Sequence, residues 1–198
     1  GRCLIMTNAG VFLVQTVFGL YLTMVIIRFM LQLAKADFYN PIAQAVVKLT
    51  QPFVAVLQKL MPRTGRFSLA TLVLAFLVQL ILILVVLLIA GFGLPNPVSL
   101  AMWSLIGLAS QVLDLLFFAI LASIVLSWIA PQTKHPGAYL LHQLTEPVMG
   151  PARRMLPNLG GLDFSPILVF IMINLVDMLV IQNLASSFGM PRGLVLGL

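Results

Sequence analysis

Charge is what this chain has least of. Only 8 % of its 198 residues are charged, five acidic and eleven basic, against about 25 % in soluble globular domains. With a hydrophobic fraction of 61 % and a mean hydropathy of +1.12, too little polar surface remains to clothe an aqueous globule, so the chain belongs in a bilayer. Cysteine is nearly missing as well. Cys3 stands alone, which excludes an internal disulfide and any multi-cysteine zinc or iron–sulfur site. The net charge of +6 comes without a basic tract or interleaved aromatic platform, so the footprint of a nucleic-acid binder is absent. No Gly-x-Ser-x-Gly, P-loop or His-Glu-x-x-His occurs, so the sequence predicts no catalytic residue, cofactor or metal. His135 and His142 could share a helical face, but Pro136 follows the first. With no acid or thiol expected beside them, they read as ordinary polar residues rather than metal or haem ligands.

A tandem repeat is present instead. Thr50-Gln51-Pro52 running to Pro62 recurs 95 positions later as Thr145-Glu146-Pro147 running to Pro157, and Asn40-Pro41 recurs as His135-Pro136. Forwards, Gly65 matches Gly160, and a two-residue insertion then brings Phe67-Ser68 onto Phe164-Ser165. Repeats are settled before elements are named, because missing one misreads the fold.

Taken in order, residues 1–8 form an N-terminal segment. Met6-Thr7-Asn8 reads as a translation start, so the residues before it are taken as a non-native or upstream remnant. The first repeat, 9–93, comprises a span at 9–34, a connector at 35–66 and a span at 68–92. A charge-free turn at 94–99 leads to the second repeat, 100–188, with a span at 100–130, a connector at 131–165 and a span at 166–188. A tail, 189–198, follows. Each apolar run is long enough for a span of about 20 residues. In the first connector Ile42, Val46, Leu49, Phe53, Leu57 and Leu60 recur at helical spacing, with Gln44, Lys48, Gln51, Gln58 and Lys59 opposite. Such a stripe suits a helix lying in the membrane interface. Pro52 is expected to divide it into two short helices, since proline lacks the amide donor, giving each connector an amphipathic hairpin. Ser68 and Ser165 are expected helix caps, the latter followed by Pro166 at the first helical position.

The expected architecture is therefore all-α, with four transmembrane helices in two parallel repeats. The connectors hold five and three Lys or Arg residues, which predicts that both face the cytoplasm and that both termini lie outside.

At these residues the chain resembles a known family. Asp37-Phe38-Tyr39-Asn40-Pro41, the two Thr-x-Pro segments, Pro151-x-Arg153-Arg154-x-Leu156-Pro157 and Gly161-Leu162-Asp163-Phe164-Ser165-Pro166 are similar to the duplicated motif of the YggT family, over about 11–188. The resemblance implies a small bacterial inner-membrane protein with relatives in plastids. It also implies links to osmotic stress tolerance and cation uptake, to cell division or membrane organisation, or to assembly of photosynthetic membrane complexes. It supplies no catalytic residue. The first copy lacks the Gly-Leu-Asp preceding Phe-Ser, so any role of Asp163 belongs to one repeat.

Three charges fall within spans, Arg28, Asp114 and Asp177. The acids could bind a cation or relay protons. The simpler reading is that they bond to Gln79, Gln111 or Asn174, or pair with Arg28, and fix helix packing. Their counterparts in the first copy, Gly19 and Leu80, are apolar, which argues against a symmetric acid pathway. The residues expected to matter are thus the duplicated motif (Thr50, Pro52, Pro62, Thr145, Glu146, Pro147, Arg153, Arg154, Pro157, Asp163, Ser165, Pro166) and these three charges. Glu146 is expected in a helix cap or a rim ion pair. The expected role is a non-enzymatic scaffold or assembly factor whose basic connectors meet anionic lipid headgroups and a membrane-protein partner, or a second copy in a homo-oligomer. The alternative is a small cation transporter or channel component using the intramembrane acids.

Overall fold

The structure, a computed structural model, describes residues 2–36, 38–61, 68–157 and 164–195, excepting the side chains of Arg2 and Cys3. Pro62 and Asp163 lie outside the described residues. Among those described there are only helices: α1 (Arg2–Leu33), α2 (Pro41–Leu60), α3 (Leu69–Ala90), α4 (Pro97–Ile129), α5 (Pro136–Met155), α6 (Ser165–Val176) and α7 (Gln182–Ser187). Four stretches are long and apolar enough to cross a membrane, Leu4–Leu33, Leu69–Ala90, Pro97–Ile129 and Ser165–Ser187. In hydrocarbon no water can satisfy a backbone amide or carbonyl, so a lone spanning segment must be a helix.

The helix boundaries follow local chemistry. Asn40 and Asn96 each accept a hydrogen bond from the amide two residues on, at 2.9 Å, ahead of a proline at the start of the helix, where a missing amide costs nothing. Ser68 caps α3, its hydroxyl accepting from the Thr71 amide at 3.3 Å. Ser165 does not cap α6. It is the first helical residue, and Phe164 precedes it without a side-chain cap. Gly91 ends α3 with φ 78°, a left-handed conformation that a side chain would disfavour.

Each connector is one helix rather than the expected hairpin. Pro52 lies inside α2, and Pro147 and Pro151 lie inside α5. All three prolines are on the exposed side, where a carbonyl deprived of its amide can meet water or headgroups, so the helix tolerates proline instead of stopping at it. The helices end at Leu60 and Met155, each two residues before the motif's second proline, which disfavours helical backbone ahead of it.

In the first repeat Leu22, Val25 and Ile26 of α1 pack on Ala70, Leu74 and Val78 of α3, with Val54 of α2 inserted among them. In the second, Leu116 and Ile120 of α4 meet Met149 and Ala152 of α5 and Val169 and Ile173 of α6. A third cluster joins the repeats through the connectors: Leu31 and Ala43 against Leu140 and Leu144. Where α3 crosses α4, a side chain at Gly107 would overlap the Gln79 amide and come within 2.9 Å of Val195, so glycine permits the close approach.

The fourth span is not a uniform α-helix. Asp177–Ile181 form a π-helical turn between α6 and α7, a widening frequent at functional positions. Nor is the C-terminal segment a free tail. Met190, Leu194 and Val195 are buried with Leu82, Ile83 and Trp103 at the end of the bundle away from the connectors. Gln15 of α1, itself buried, donates to the Gly193 carbonyl at 2.9 Å and the Leu194 carbonyl at 3.0 Å. Trp103 donates its indole N–H to the Phe188 carbonyl at 2.9 Å. Replacing Gln15 by Leu therefore leaves two carbonyls without their donor, at a cost of about 1–3 kcal/mol. The expected result is a lower melting temperature together with faster carboxypeptidase trimming of residues 190–195; unchanged trimming would show that Gln15 does not hold the segment.

Candidate functional site

The duplicated Thr-x-Pro has one geometry in both copies. Thr50 and Thr145 are buried. The Thr50 hydroxyl donates to the Val46 and Val47 carbonyls at 2.8 and 3.3 Å, and the Thr145 hydroxyl to the Leu141 and His142 carbonyls at 2.9 and 3.3 Å. Back-bonding of this kind bends helices, and here it occupies carbonyls just ahead of the proline. The motif thus gives each connector a hydroxyl buried against its own helix.

The residue between threonine and proline differs, and each copy uses it differently. In the first, Arg28 reaches up from α1 and donates to the Gln51 carboxamide oxygen at 2.9 Å, the Thr50 hydroxyl at 3.0 Å and the Val47 carbonyl at 3.4 Å. Only 5 % of Arg28 is exposed, and its acceptors are all neutral. In the second copy Glu146 accepts two bonds from Arg153, at 2.9 and 3.1 Å, with the His142 Nε2 3.8 Å away. Ser123 stands where the first copy has Arg28, and Gln58 stands where the second has Arg153. The expectation that no acid lies beside the histidines was therefore wrong for His142, because one helical turn brings Glu146 to it. His135 instead caps α5, its Nδ1 accepting from the Gly137 amide at 3.0 Å. Among the described residues no group of three or more His, Cys, Asp or Glu side chains could hold a metal ion.

The connectors meet each other directly. Asn40, while capping α2, donates from Nδ2 to the Pro136 carbonyl at 2.8 Å. With the apolar cluster between them, α2 and α5 make one layer across one end of the bundle. Lys48, Lys59, Arg153 and Arg154 are exposed on it, as are Pro52 and Pro147, and Pro157 just beyond α5. Ser165 and Pro166 start the following span, Ser165 being buried.

The intramembrane acids are placed differently from the expectation. Asp114 lies mid-way along α4 and is exposed; Asp177 opens the π turn and is partly exposed. Gln182 donates to Asp177 Oδ2 at 3.1 Å. Asp114 and Asp177 are near enough to interact electrostatically. Neither bonds to Gln79, Gln111, Asn174 or Arg28: Asn174 donates to its own helix at the Phe170 carbonyl, Gln79 is buried against Gly107, and Arg28 is engaged by α2. Asp114 is exposed on α4 and Asp177 partly exposed on the fourth span, whereas Gln79 and Arg28 are buried in the packed interior. At the centre of a bilayer each would cost about 2.5–3.5 kcal/mol to insert as an ion.

Comparison with known proteins places these features in a family context. A family model described as CCB3/YggT matches the chain twice, over residues 7–89 and 102–184. The chain is similar to the uncharacterised protein PA0392 of Pseudomonas aeruginosa, 45 % identical over 96 % of each chain. It is also similar to an uncharacterised protein from the proC 3′ region of Vibrio alginolyticus, 38 % identical over 87 % of this chain and 94 % of that one. To the uncharacterised protein YggT of Escherichia coli K12 it is 34 % identical over 92 % of this chain and 95 % of that one. No solved structure matches.

Because Arg28 ties α1 to α2 through a buried charged donor, Arg28→Gln should loosen the first connector by about 1.5–3 kcal/mol. Amide exchange over residues 41–60 is expected to accelerate while that over 136–155 stays as it was. Equal acceleration in both connectors, or none in the first, would assign the anchoring elsewhere.

Proposed function

Since the chain belongs to the CCB3/YggT family, we propose that it is a non-enzymatic scaffold or assembly factor of the bacterial inner membrane, presenting its connector layer to lipid headgroups and partner membrane proteins. The observation that carries this reading is the joining of α2 and α5 into one layer. The Asn40 to Pro136 bond and the shared apolar cluster hold two amphipathic helices side by side. Lys48, Lys59, Arg153 and Arg154 are exposed on these two helices. In this reading the layer faces the cytoplasm, where retained Lys and Arg accumulate, and each basic group near an anionic leaflet contributes about 1 kcal/mol of attraction. The termini then lie outside. Arg153 already neutralises Glu146, so Lys48, Lys59 and Arg154 carry more of that attraction, and Arg153 fixes the layer's edge. The test is affinity purification in gentle detergent or nanodiscs from the native membrane. A stoichiometric membrane-protein partner is expected with the wild type and lost with Arg153→Glu, Arg154→Glu; a partner retained by the variant would remove the basic layer from the interaction.

The second reading, a cation transporter or channel component linked to osmotic stress, is favoured by one observation, the proximity of Asp114 and Asp177 within the membrane. Their peripheral position weighs against it in a single copy, because an ion path needs ligands converging from several sides. If cations pass through this protein, Asp114→Asn with Asp177→Asn should cut flux into liposomes to background. Flux equal to wild type would dismiss the acids from transport.

A further inference from the structure

The second repeat leaves its spans uncovered. Of the most apolar window of each span, 44 % is buried in α3 and 22 % in α1, against 11 % in α4 and 17 % in the fourth span. On these open helices Asp114 is exposed and has no hydrogen bond among the described residues, and Asp177 has one, at Oδ2. Exposed apolar side chains flank them, among them Phe118 and Leu121 on α4 and Ile171 and Met178 on the fourth span. A face like this combines van der Waals area with two carboxyl groups, and lipid tails can satisfy only the first.

Charge decides what covers it. No lysine or arginine occurs in α4, α6, the π turn or α7. Arg28, the intramembrane cation of the first repeat, is buried and held by Thr50 and Gln51. A second copy docking by the same face would set carboxylate against carboxylate, since a two-fold interface presents identical patches. The complement is a cation at the same depth on another chain. We propose that α4 and the fourth span form the docking face for a transmembrane helix of a partner protein that carries one lysine or arginine near its midpoint, held by Asp114 and Asp177. This deepens the scaffold reading, on which it rests, by naming the chemistry of the partner. The connector layer meets headgroups, and the acid pair selects the helix.

The test uses the full chain in zwitterionic phosphatidylcholine nanodiscs, where the basic connectors have no anionic lipid to attract. The probes are two fluorescent leucine–alanine helices of spanning length, identical except for lysine or leucine at the centre. The lysine helix should bind the wild type at least about tenfold tighter, a difference of about 1.4 kcal/mol. Asp114→Asn with Asp177→Asn, which keeps side-chain size and is checked for an unchanged elution profile, should abolish the preference. Asp114→Glu with Asp177→Glu should keep it. Equal binding of the two helices to the wild type would overturn the proposal. So would energy transfer between two labelled copies of this chain that depends on the same two acids, which would give the face to self-association. Either result would leave the capture experiment with the arginine variant to decide the scaffold reading by itself.

Discussion

Inside hydrocarbon a polar group has no water to return to, and this structure depends on the few polar side chains that find a partner within the chain. The threonine of the duplicated motif bonds back to its own helix, at Val46 and Val47 in one copy and Leu141 and His142 in the other. Gln15 takes the carbonyls of the returning C-terminal segment. Asn40 satisfies its own helix start with one atom and the other repeat with the second. These bonds are few, but each lies where a lost partner would be costly. Together they fix the connectors, the far end of the bundle and the contact between repeats.

The two repeats answer that constraint unequally. The first encloses its charge: Arg28 lies beneath α2 with three neutral acceptors. The second keeps its connector pair at the rim, Glu146 with Arg153, and leaves Asp114 and Asp177 on an outer face. Duplication preserved the threonine back-bond in the connector, and the neighbouring positions differ between the copies. One repeat thus buries its intramembrane charge, and the other leaves its acids at least partly exposed.

Much of the architecture was legible in the sequence, because composition and long apolar runs report the solvent directly. The repeat announced itself through residues with special backbone demands, Thr50 and Thr145 before proline and Asn40 and His135 at the caps, since such positions tolerate few substitutes. The continuous connectors were misread because proline's effect depends on which side of a helix it faces. That side is set by which residues of the helix pack inward, Val54 in α2 and Met149 in α5, not by the proline itself. The acids were expected to bond to side chains that are instead engaged elsewhere, Asn174 with its own helix and Arg28 with α2, and the proximity of His142 to Glu146 was overlooked although helical spacing places them together.

Hydropathy, charge placement and the 95-residue repeat determined four spans, two amphipathic connectors and membership of one family. These follow from local chemistry and transfer between water and lipid, which every residue registers alone. Only the tertiary structure decided that the connectors join into one layer, that the C-terminal segment returns to Gln15, that Arg28 is buried, and that Asp114, exposed on α4, lies within electrostatic reach of Asp177. Those are relations between residues distant in the chain, set by how helices rotate and tilt to close a core. No single segment carries that rotation in its own sequence.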